Sequence, residues 1–477
     1  MSVLNFRSGR FLHWAMRVVF FLFLILFSAR TYAQHPPEVA GQWYGSILIM
    51  EEELGVNIIF EYSDGELDGA MDIPSQFAFN LPVEVTEAGG ETFVFQFETG
   101  TGQAVFYGRW LHDENTIDGE FEQLGQRFPF HLTRRISSGG RLIQLPEQEL
   151  IIPTRAGQLS GSLILTKEPS PLVILLTGSG SQDRDENVAG FRVFWLLSSI
   201  LYEHGYSSFR YDDRGIGKSE GNVDATLHEL AIDVADVAGY LRSNYGDQFT
   251  SLYLIGHSQG GLVASIIADE IDADGIIFMG APFLRGDEII NMQIRLISEE
   301  MNVPEAIVEQ NLEFQELIYD VARNESSWDE IELDLKDRLL QQLNQLPDQQ
   351  RNALGDMSSF IQSQVDRQLS TAKSRWFKSL IEFEPADIIS NIHVPMLAIF
   401  GENDMQVPLK QNIEAAEQLR DEVVSLEIAV IPHANHLFQH SNSGMPSEYG
   451  MLERTFTDAF IDTITDWLME VSLAKAE

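Results

Sequence analysis

A serine between two glycines gives this sequence its clearest chemical signal. The pentapeptide Gly256-His-Ser-Gln-Gly260 follows the apolar stretch 252–255 and precedes an apolar, helix-like stretch, 262–268. A strand, a sharp turn and a helix in that order expose a serine hydroxyl as a nucleophile, and the flanking glycines remove side chains that would collide in the turn. The pattern therefore predicts Ser258 as a nucleophile for carbonyl carbon; an ordinary strand-to-helix turn is the alternative.

A serine hydroxyl needs a base, and the base needs an acid that orients it. Glu402 and Asp404 directly follow one apolar stretch later in the chain, and His433 and His436 follow the next. The order serine, acid, histidine is one in which such triads occur. We predict Asp404 as the acid and His436, which lies farther along its loop, as the base. Glu402 and His433 are the alternatives.

Acyl transfer also needs two hydrogen-bond donors aimed at the developing oxyanion. One is predicted to be the backbone N–H of Gln259, immediately after the nucleophile. The other is placed at Ser179, in the glycine-containing loop 177–181 that follows the apolar stretch 172–176. This chemistry requires no metal ion and no organic cofactor, so none is expected.

Composition and charge exclude several other functions. The chain has 477 residues, a length typical of about three folding units, and it contains no cysteine, which rules out thiolate nucleophiles and disulfides. Lysine and arginine number 31 against 72 acidic residues, for a formal net charge of −41. Such a charge repels phosphate backbones, so we expect no nucleic-acid partner.

The N-terminal residues 1–33 have the pattern of a signal peptide. Arg7, Arg10 and Arg17 precede an apolar run, Val18 to Phe27, and the segment ends in Thr31-Tyr-Ala33. A basic region, a short apolar region and a small-residue exit are typical of export signals. Ten apolar residues are too few to span a bilayer. We therefore expect cleavage after Ala33 and an exported, periplasmic or secreted protein without a stable membrane anchor; an uncleaved anchor is the alternative.

Residues 34–135 are predicted to form an antiparallel β-barrel or sandwich domain. Short stretches such as Phe93, Phe95 and Phe97 alternate between apolar and other residues and are separated by turn sequences such as Ala88-Gly-Gly90. Regularly spaced short strands of this kind favour an all-β module. Residues 136–148, which include Ser137-Ser-Gly-Gly140, are predicted to be a linker.

Residues 149–477 are predicted to form an α/β domain, because apolar strands alternate with helical periods as in a mostly parallel sheet with helices on both faces. Within it, residues 285–388 lose the strand signal and show helical stripes instead, for example Phe314, Leu317 and Val321. A helical insertion at this place is predicted to be a cap over the active site; a separate helical domain is the alternative.

These residues resemble the α/β-hydrolase superfamily, and more narrowly its serine-aminopeptidase-like branch, which contains exported bacterial carboxylesterases. The matching stretches are 177–185, 210–217, 256–260, 401–408 and 435–439. The resemblance implies the same triad of Ser258, Asp404 and His436. It also implies that Trp376 and Phe377, at the end of the cap, line the acyl pocket, with simple packing of the cap as the alternative. Residues that the resemblance makes structural are Arg184, Asp212 and Arg214.

The function predicted from the sequence is hydrolysis of small carboxylic esters, with short acyl chains, through an acyl-enzyme. Three alternatives stay open. They are a serine aminopeptidase or amidase with the same triad, an acyltransferase, and a non-catalytic envelope binding protein. The natural substrate and the oligomeric state are not predicted.

Overall fold

The structure is a computed structural model that describes most of the chain after the N-terminal segment. The described residues are 39–49, 52–63, 66–73, 78–89, 92–99, 102–111, 116–123, 125–134, 145–324, 326–344, 356–420 and 423–476. The predicted signal peptide, 1–33, and most of the predicted linker, 136–144, lie outside them. Within the described ranges, no helix combines the length and the apolar character that crossing a bilayer would require.

The first domain is a closed antiparallel barrel of eight strands, in which each strand pairs with the next and the last pairs with the first. Its strands are β1 (Gly41–Ile49), β2 (Glu52–Ser63), β3 (Glu66–Ile73), β4 (Ala78–Gly89), β5 (Thr92–Thr99), β6 (Gly102–Leu111), β7 (Thr116–Gln123) and β8 (Gln126–Arg134).

Aromatic rings fill the barrel interior. Phe93, Phe95 and Phe97 alternate inward along β5, and the Phe95 ring stacks on Phe106 of β6 with the ring centroids 4.4 Å apart. In a small eight-stranded barrel the inward side chains suffice to fill the lumen. The domain is therefore a packed core, and of the two architectures predicted for it the barrel is the one formed.

The second domain is built on an eight-stranded sheet whose strands are β9 (Glu147–Thr154), β10 (Gly157–Ile164), β11 (Ser170–Leu176), β14 (Ser207–Tyr211), β15 (Phe249–His257), β16 (Gly275–Met279), β17 (Met396–Gly401) and β18 (Leu426–Ile431). Their order across the sheet is β18-β17-β16-β15-β11-β14-β10-β9, in which β10 runs antiparallel to both of its neighbours and all other neighbouring strands are parallel. A two-stranded ribbon, β12 (Asn187–Val188) with β13 (Phe191–Arg192), lies beside it.

Helices pack on both faces of this sheet, and two large apolar clusters lie between the sheet and its helices. The helices are α1 (Val193–Glu203), α2 (Leu227–Tyr245), α3 (Gln259–Ile267), α4 (Gly286–Glu300), α5 (Glu305–Asn324), α6 (Asp329–Asn344), α7 (Met357–Ala372), α8 (Arg375–Glu382), α9 (Pro385–Ile389), α10 (Leu409–Arg420) and α11 (Asp458–Ala476). This arrangement confirms the predicted fold class. The sheet begins at Glu147, two residues before the predicted domain start.

Helices α4 to α8 form the helical insertion between β16 and β17, with small apolar clusters of their own. Helix α8 is tied to the segment before α2 and to the first turn of α2. The Trp376 backbone N–H donates to the Asp224 carboxylate (3.0 Å), and the Arg375 guanidinium donates to Glu229 (2.7 Å). These bonds fix the end of the insertion against the sheet domain beside α3.

Candidate active site

Ser258 lies on a strained turn between strand β15 and helix α3. Its backbone has φ 52° and ψ −121°, a left-handed conformation that is rare for a residue with a side chain. The two glycines of the pentapeptide are required by close backbone approach. A Cβ on Gly256 would lie 2.3 Å from the backbone of Gly260, and a Cβ on Gly260 would lie 2.1 Å from the Leu176 carbonyl oxygen. The local structure is therefore the strand, turn and helix that the sequence pattern predicts.

Asp404 and His436 form a buried hydrogen-bonded pair. The His436 Nδ1 lies 2.7 Å from Asp404 Oδ2, and the two side chains are 4% and 0% exposed. The other oxygen, Oδ1, accepts the backbone N–H groups of Gln406 (2.7 Å) and Val407 (2.8 Å). Since the carboxylate accepts, Nδ1 carries a hydrogen, and in the neutral ring the lone pair is on Nε2. The pair is an imidazole oriented to act as a base.

The backbone around His436 is ordered by a fully buried asparagine. Asn435 Oδ1 accepts the N–H groups of Leu437 (2.9 Å) and Gln439 (3.0 Å), and its Nδ2 donates to the Gln439 side chain. These bonds close the loop after β18 on itself. The imidazole therefore projects from a rigid turn.

The alternative acid and base lie together at the surface. The Glu402 carboxylate accepts the backbone N–H of His433 at 2.8 Å and lies 3.5 Å from the ring nitrogen Nδ1 of that histidine. Both side chains are exposed, at 46% and 65%. The structure therefore brings Asp404, and not Glu402, to His436.

Ser258 and His436 both border the end of strand β16. The Ser258 N–H donates to the Met279 carbonyl oxygen (2.9 Å), and a Cβ on the next residue, Gly280, would lie 3.4 Å from His436 Nδ1. The Ser258 hydroxyl is half-buried, and it forms no hydrogen bond to His436 or to any other described residue. The two groups are thus neighbours whose direct hydrogen bond is not formed in this structure.

The two predicted oxyanion donors have free backbone N–H groups. Gln259 is the first residue of α3, and the first N–H groups of a helix have no intrahelical acceptor. Ser179 lies in the loop after β11, and its N–H finds no acceptor among the described residues. The N–H of Gly178, one position earlier, is already used, because it donates to the Glu186 carboxylate at 2.7 Å.

A cavity of about 270 Å³ lies between the sheet domain and the end of the cap, next to Gln259. Trp376 forms part of its wall, and the indole N–H of Trp376 donates to the Gln259 side-chain oxygen. Phe377 is not on this wall. It is buried inside the cap, where its ring stacks on Tyr319 with the centroids 6.1 Å apart. Of the two residues predicted to line the pocket, Trp376 therefore lies on the cavity wall and Phe377 packs inside the cap.

The cavity wall also carries polar groups, among them Asp213. The Asp213 carboxylate accepts the Thr177 hydroxyl (2.8 Å) and the Gln182 N–H (2.9 Å). Burial raises the pKa of Asp213 to about 7, although these hydrogen bonds oppose the shift. The described residues contain no cluster of three or more side chains that could bind a metal ion.

The three residues predicted to be structural hold loops at this edge of the sheet. Arg184 makes two hydrogen bonds to the Asp212 carboxylate, at 2.9 and 2.7 Å, and Arg214 is paired with the buried Asp233. Both arginines are largely buried, so these pairs fix the loops that follow β11 and β14.

Two buried residues beside the site were not predicted as part of it. Glu186 is 1% exposed and His257 is 3% exposed, and they are hydrogen bonded to each other. His257 lies inside the pentapeptide 256–260, so the sequence alone places it next to the predicted nucleophile. Nothing in the sequence indicates that Glu186, 71 residues earlier, is its partner.

Two family descriptions match separate parts of the second domain. The family described as serine aminopeptidase, S33, matches residues 193–334, and the prolyl oligopeptidase family matches residues 352–460. Among curated proteins, esterase EstD of Thermotoga maritima is 24% identical over 315 residues, which is 65% of this chain and 66% of the relative. The match thus spans just under two thirds of that relative.

Matches among solved structures include two esterases. An esterase of Pyrococcus furiosus is 16% identical and covers 71% of this chain and 94% of its own, with a TM-score of 0.41. A thermophilic esterase of Thermogutta terrifontis is 18% identical and covers 68% of this chain and 99% of its own, with a TM-score of 0.38.

Proposed function

We propose that this chain is a serine hydrolase of the α/β-hydrolase superfamily that cleaves small carboxylic esters. The observation that carries the proposal is the buried hydrogen bond between Asp404 and His436 beside a serine in a left-handed turn. The similarity to esterase EstD supports esters as the substrate class. The proposed triad is Ser258, Asp404 and His436.

In the proposed reaction, the Ser258 hydroxyl attacks the ester carbonyl carbon while His436 Nε2 takes its proton. The Asp404 carboxylate stabilises the imidazolium that forms, and the N–H groups of Gln259 and Ser179 donate to the oxyanion. His436 then protonates the leaving alcohol, which leaves an acyl-serine. A water molecule releases the acid by the same steps. Catalytic hydrogen bonds often tighten only in the substrate complex, and we expect the Ser258–His436 hydrogen bond to form there.

The cavity beside Gln259 is proposed to hold the acyl group. Its volume of about 270 Å³ lies just below the usual range of ligand pockets, which begins at about 300 Å³. Because Trp376 closes one side and its indole is hydrogen bonded to Gln259, the pocket cannot lengthen without moving the cap. This size favours esters of short acyl chains.

A serine aminopeptidase with the same triad is the second candidate, and two observations favour it. The serine aminopeptidase family matches part of the domain, and the acidic residues Asp213 and Asp224 line the cavity, where an ammonium group of a substrate could be bound. Comparing p-nitrophenyl butyrate with aminoacyl p-nitroanilides on the purified protein separates the candidates. We expect a higher kcat/KM on the ester; a higher value on the anilides would establish the aminopeptidase instead.

Replacing Ser258 with Ala is expected to abolish ester hydrolysis, because no nucleophile remains. Loss of the nucleophile in a comparable triad lowers kcat by about 10⁶-fold. Release of p-nitrophenol from p-nitrophenyl butyrate measures the rate, and circular dichroism checks that the fold is retained. Labelling of the wild-type protein by a fluorophosphonate should disappear in the same variant. Unchanged turnover in Ser258→Ala would refute the triad.

The Asp404→Asn variant is expected to lower kcat by about 10⁴-fold, because an amide donor facing Nδ1 favours the wrong histidine tautomer. The matched control is Glu402→Gln, two residues away on the same loop and exposed. It should keep the wild-type rate. Steady-state kinetics on p-nitrophenyl butyrate distinguishes the two variants, and an equal loss in both would contradict the assignment of the acid.

Trp376→Ala is expected to open the acyl pocket and shift its preference toward longer chains. The ratio of kcat/KM for p-nitrophenyl octanoate over acetate should rise several-fold, since the indole that limits the cavity is removed. The control is Phe377→Ala, which removes an adjacent aromatic ring that does not line the cavity. If both variants change the ratio equally, Trp376 does not limit the acyl group.

A further inference from the structure

A second acid–histidine pair is buried behind the proposed triad. The His257 Nδ1 lies 2.8 Å from Glu186 Oε1, and the His257 Nε2 lies 3.1 Å from the backbone carbonyl oxygen of His436. Both side chains of the pair are almost completely buried. The same Glu186 oxygen accepts the N–H of Gly178. The second oxygen, Oε2, is buried without a hydrogen-bond partner among the described residues.

These contacts favour a His257 ring that is protonated on both nitrogens. A backbone carbonyl oxygen can only accept a hydrogen bond, so Nε2 must carry a hydrogen. Glu186 Oε1 accepts from Gly178, and an ionised carboxylate can only accept, so opposite an ionised Glu186 the Nδ1 of His257 carries a hydrogen as well. A ring with two N–H groups is an imidazolium. Burial lowers the pKa of His257, but the charge and hydrogen bond of Glu186 and the His436 carbonyl raise it, and the net shift is upward.

The pair touches three parts of the proposed site at once. Glu186 holds Gly178, whose neighbour Ser179 is the proposed oxyanion donor. His257 directly precedes Ser258. The carbonyl that it binds belongs to His436, and the two histidine rings lie 4.7 Å apart between centroids. The titratable groups that face the pair are Asp404, on the His257 side, and Asp213, on the Glu186 side.

We propose that Glu186 and a doubly protonated His257 form a positioning pair that fixes the nucleophile turn, the oxyanion loop and the loop of the base relative to one another. The role rests on the proposed function, whereas the protonation state does not. Glu186 itself has φ 48°, a left-handed backbone. Such strain persists only where the surroundings impose it, and it recurs at functional sites.

The protonation state is tested by nitrogen NMR on the full-length protein labelled with ¹⁵N-histidine. The His257 signals are assigned as those lost in His257→Gln. We expect both ring nitrogens of His257 to be protonated at about pH 7, where an exposed histidine, with a pKa of about 6.5, is mostly neutral. In Glu186→Gln, one nitrogen should lose its proton. A singly protonated His257 in the wild type would overturn the proposal, whether or not the protein hydrolyses esters.

The positioning role is tested by kinetics on p-nitrophenyl butyrate. Glu186→Gln and His257→Gln should each lower kcat by about 10- to 100-fold with little change in KM, as small misplacements of catalytic groups do. The double variant should be no slower than the slower single variant, because the two residues act as a unit. Single variants with wild-type kcat, or losses that multiply, would overturn the role.

The matched control is His393→Gln. His393 pairs with Asp269 at 2.7 Å, a similar distance, but its side chain is 79% exposed and the pair lies outside the site. Its kcat should match the wild type. If the wild type hydrolyses no ester, the proposed function fails and the NMR result stands alone. If the Glu186 and His257 variants do not fold, the His257 ring signals are assigned through their correlation to the His257 backbone, and their protonation in the wild type decides for or against the proposal.

The pair should also give a pH dependence of stability. The pKa of His257 is raised on folding. The interaction of protonated His257 with Glu186 therefore contributes its full share to the free energy of unfolding below the ordinary histidine pKa. That contribution is lost as the pH rises through the raised pKa. The difference in unfolding midpoint between wild type and Glu186→Gln should therefore shrink toward alkaline pH. A difference that grows with pH would contradict an imidazolium.

Discussion

The left-handed backbone of Ser258 is the constraint on which the site depends. A conformation of this kind costs about 1–3 kcal/mol in a residue other than glycine. It persists because β15 is buried from Ser251 to His257 and because α3 packs directly against the sheet. Gly256 and Gly260 let strand and helix approach closer than side chains would permit. The packing energy of the core thus holds the serine hydroxyl at the edge of the sheet.

Parallel strands bring the other groups to the same edge. The loop of Ser179 follows β11, Asp404 follows β17 and His436 follows β18. Buried side-chain oxygens accept backbone N–H groups of all three loops: Asp404 and Asn435 do so within their own loops, and Glu186 and Asp213 do so for the loop of Ser179. The polar geometry is therefore set by buried loop contacts. The large negative surface charge takes no part in it.

The sequence was sufficient to predict the candidate triad, but not the architecture of the first domain. Ser258, Asp404 and His436 could be proposed because each follows an apolar stretch directly, and parallel strands carry such residues to one edge. Whether the first domain was a barrel or a sandwich could not be predicted, since both produce the same alternation of apolar residues.

Other features depend on three-dimensional packing that no local pattern encodes. Trp376 and Phe377 are adjacent aromatic residues, yet only the orientation of α8 decides which one faces the cavity. Glu186 reaches His257 through a loop with a left-handed residue, and its distance in the chain hides the contact. The start of the sheet at Glu147 depends on pairing with β10, which the polar residues of that segment do not reveal.

Three acid–histidine pairs lie near this edge of the sheet, and their burial and hydrogen-bond partners give them different properties. His433 and Glu402 are exposed, so water competes for their hydrogen bonds and their interaction is weak. His436 and Asp404 are buried, and Nε2 of His436 faces no hydrogen-bond acceptor among the described residues, so that nitrogen keeps its lone pair and can accept a proton. His257 and Glu186 are equally buried, but the second nitrogen of His257 faces a carbonyl oxygen and must donate. The difference between the two buried histidines therefore lies in the group that faces Nε2. His436 has no acceptor there and can act as a base, whereas His257 has a carbonyl oxygen there and is held as a cation.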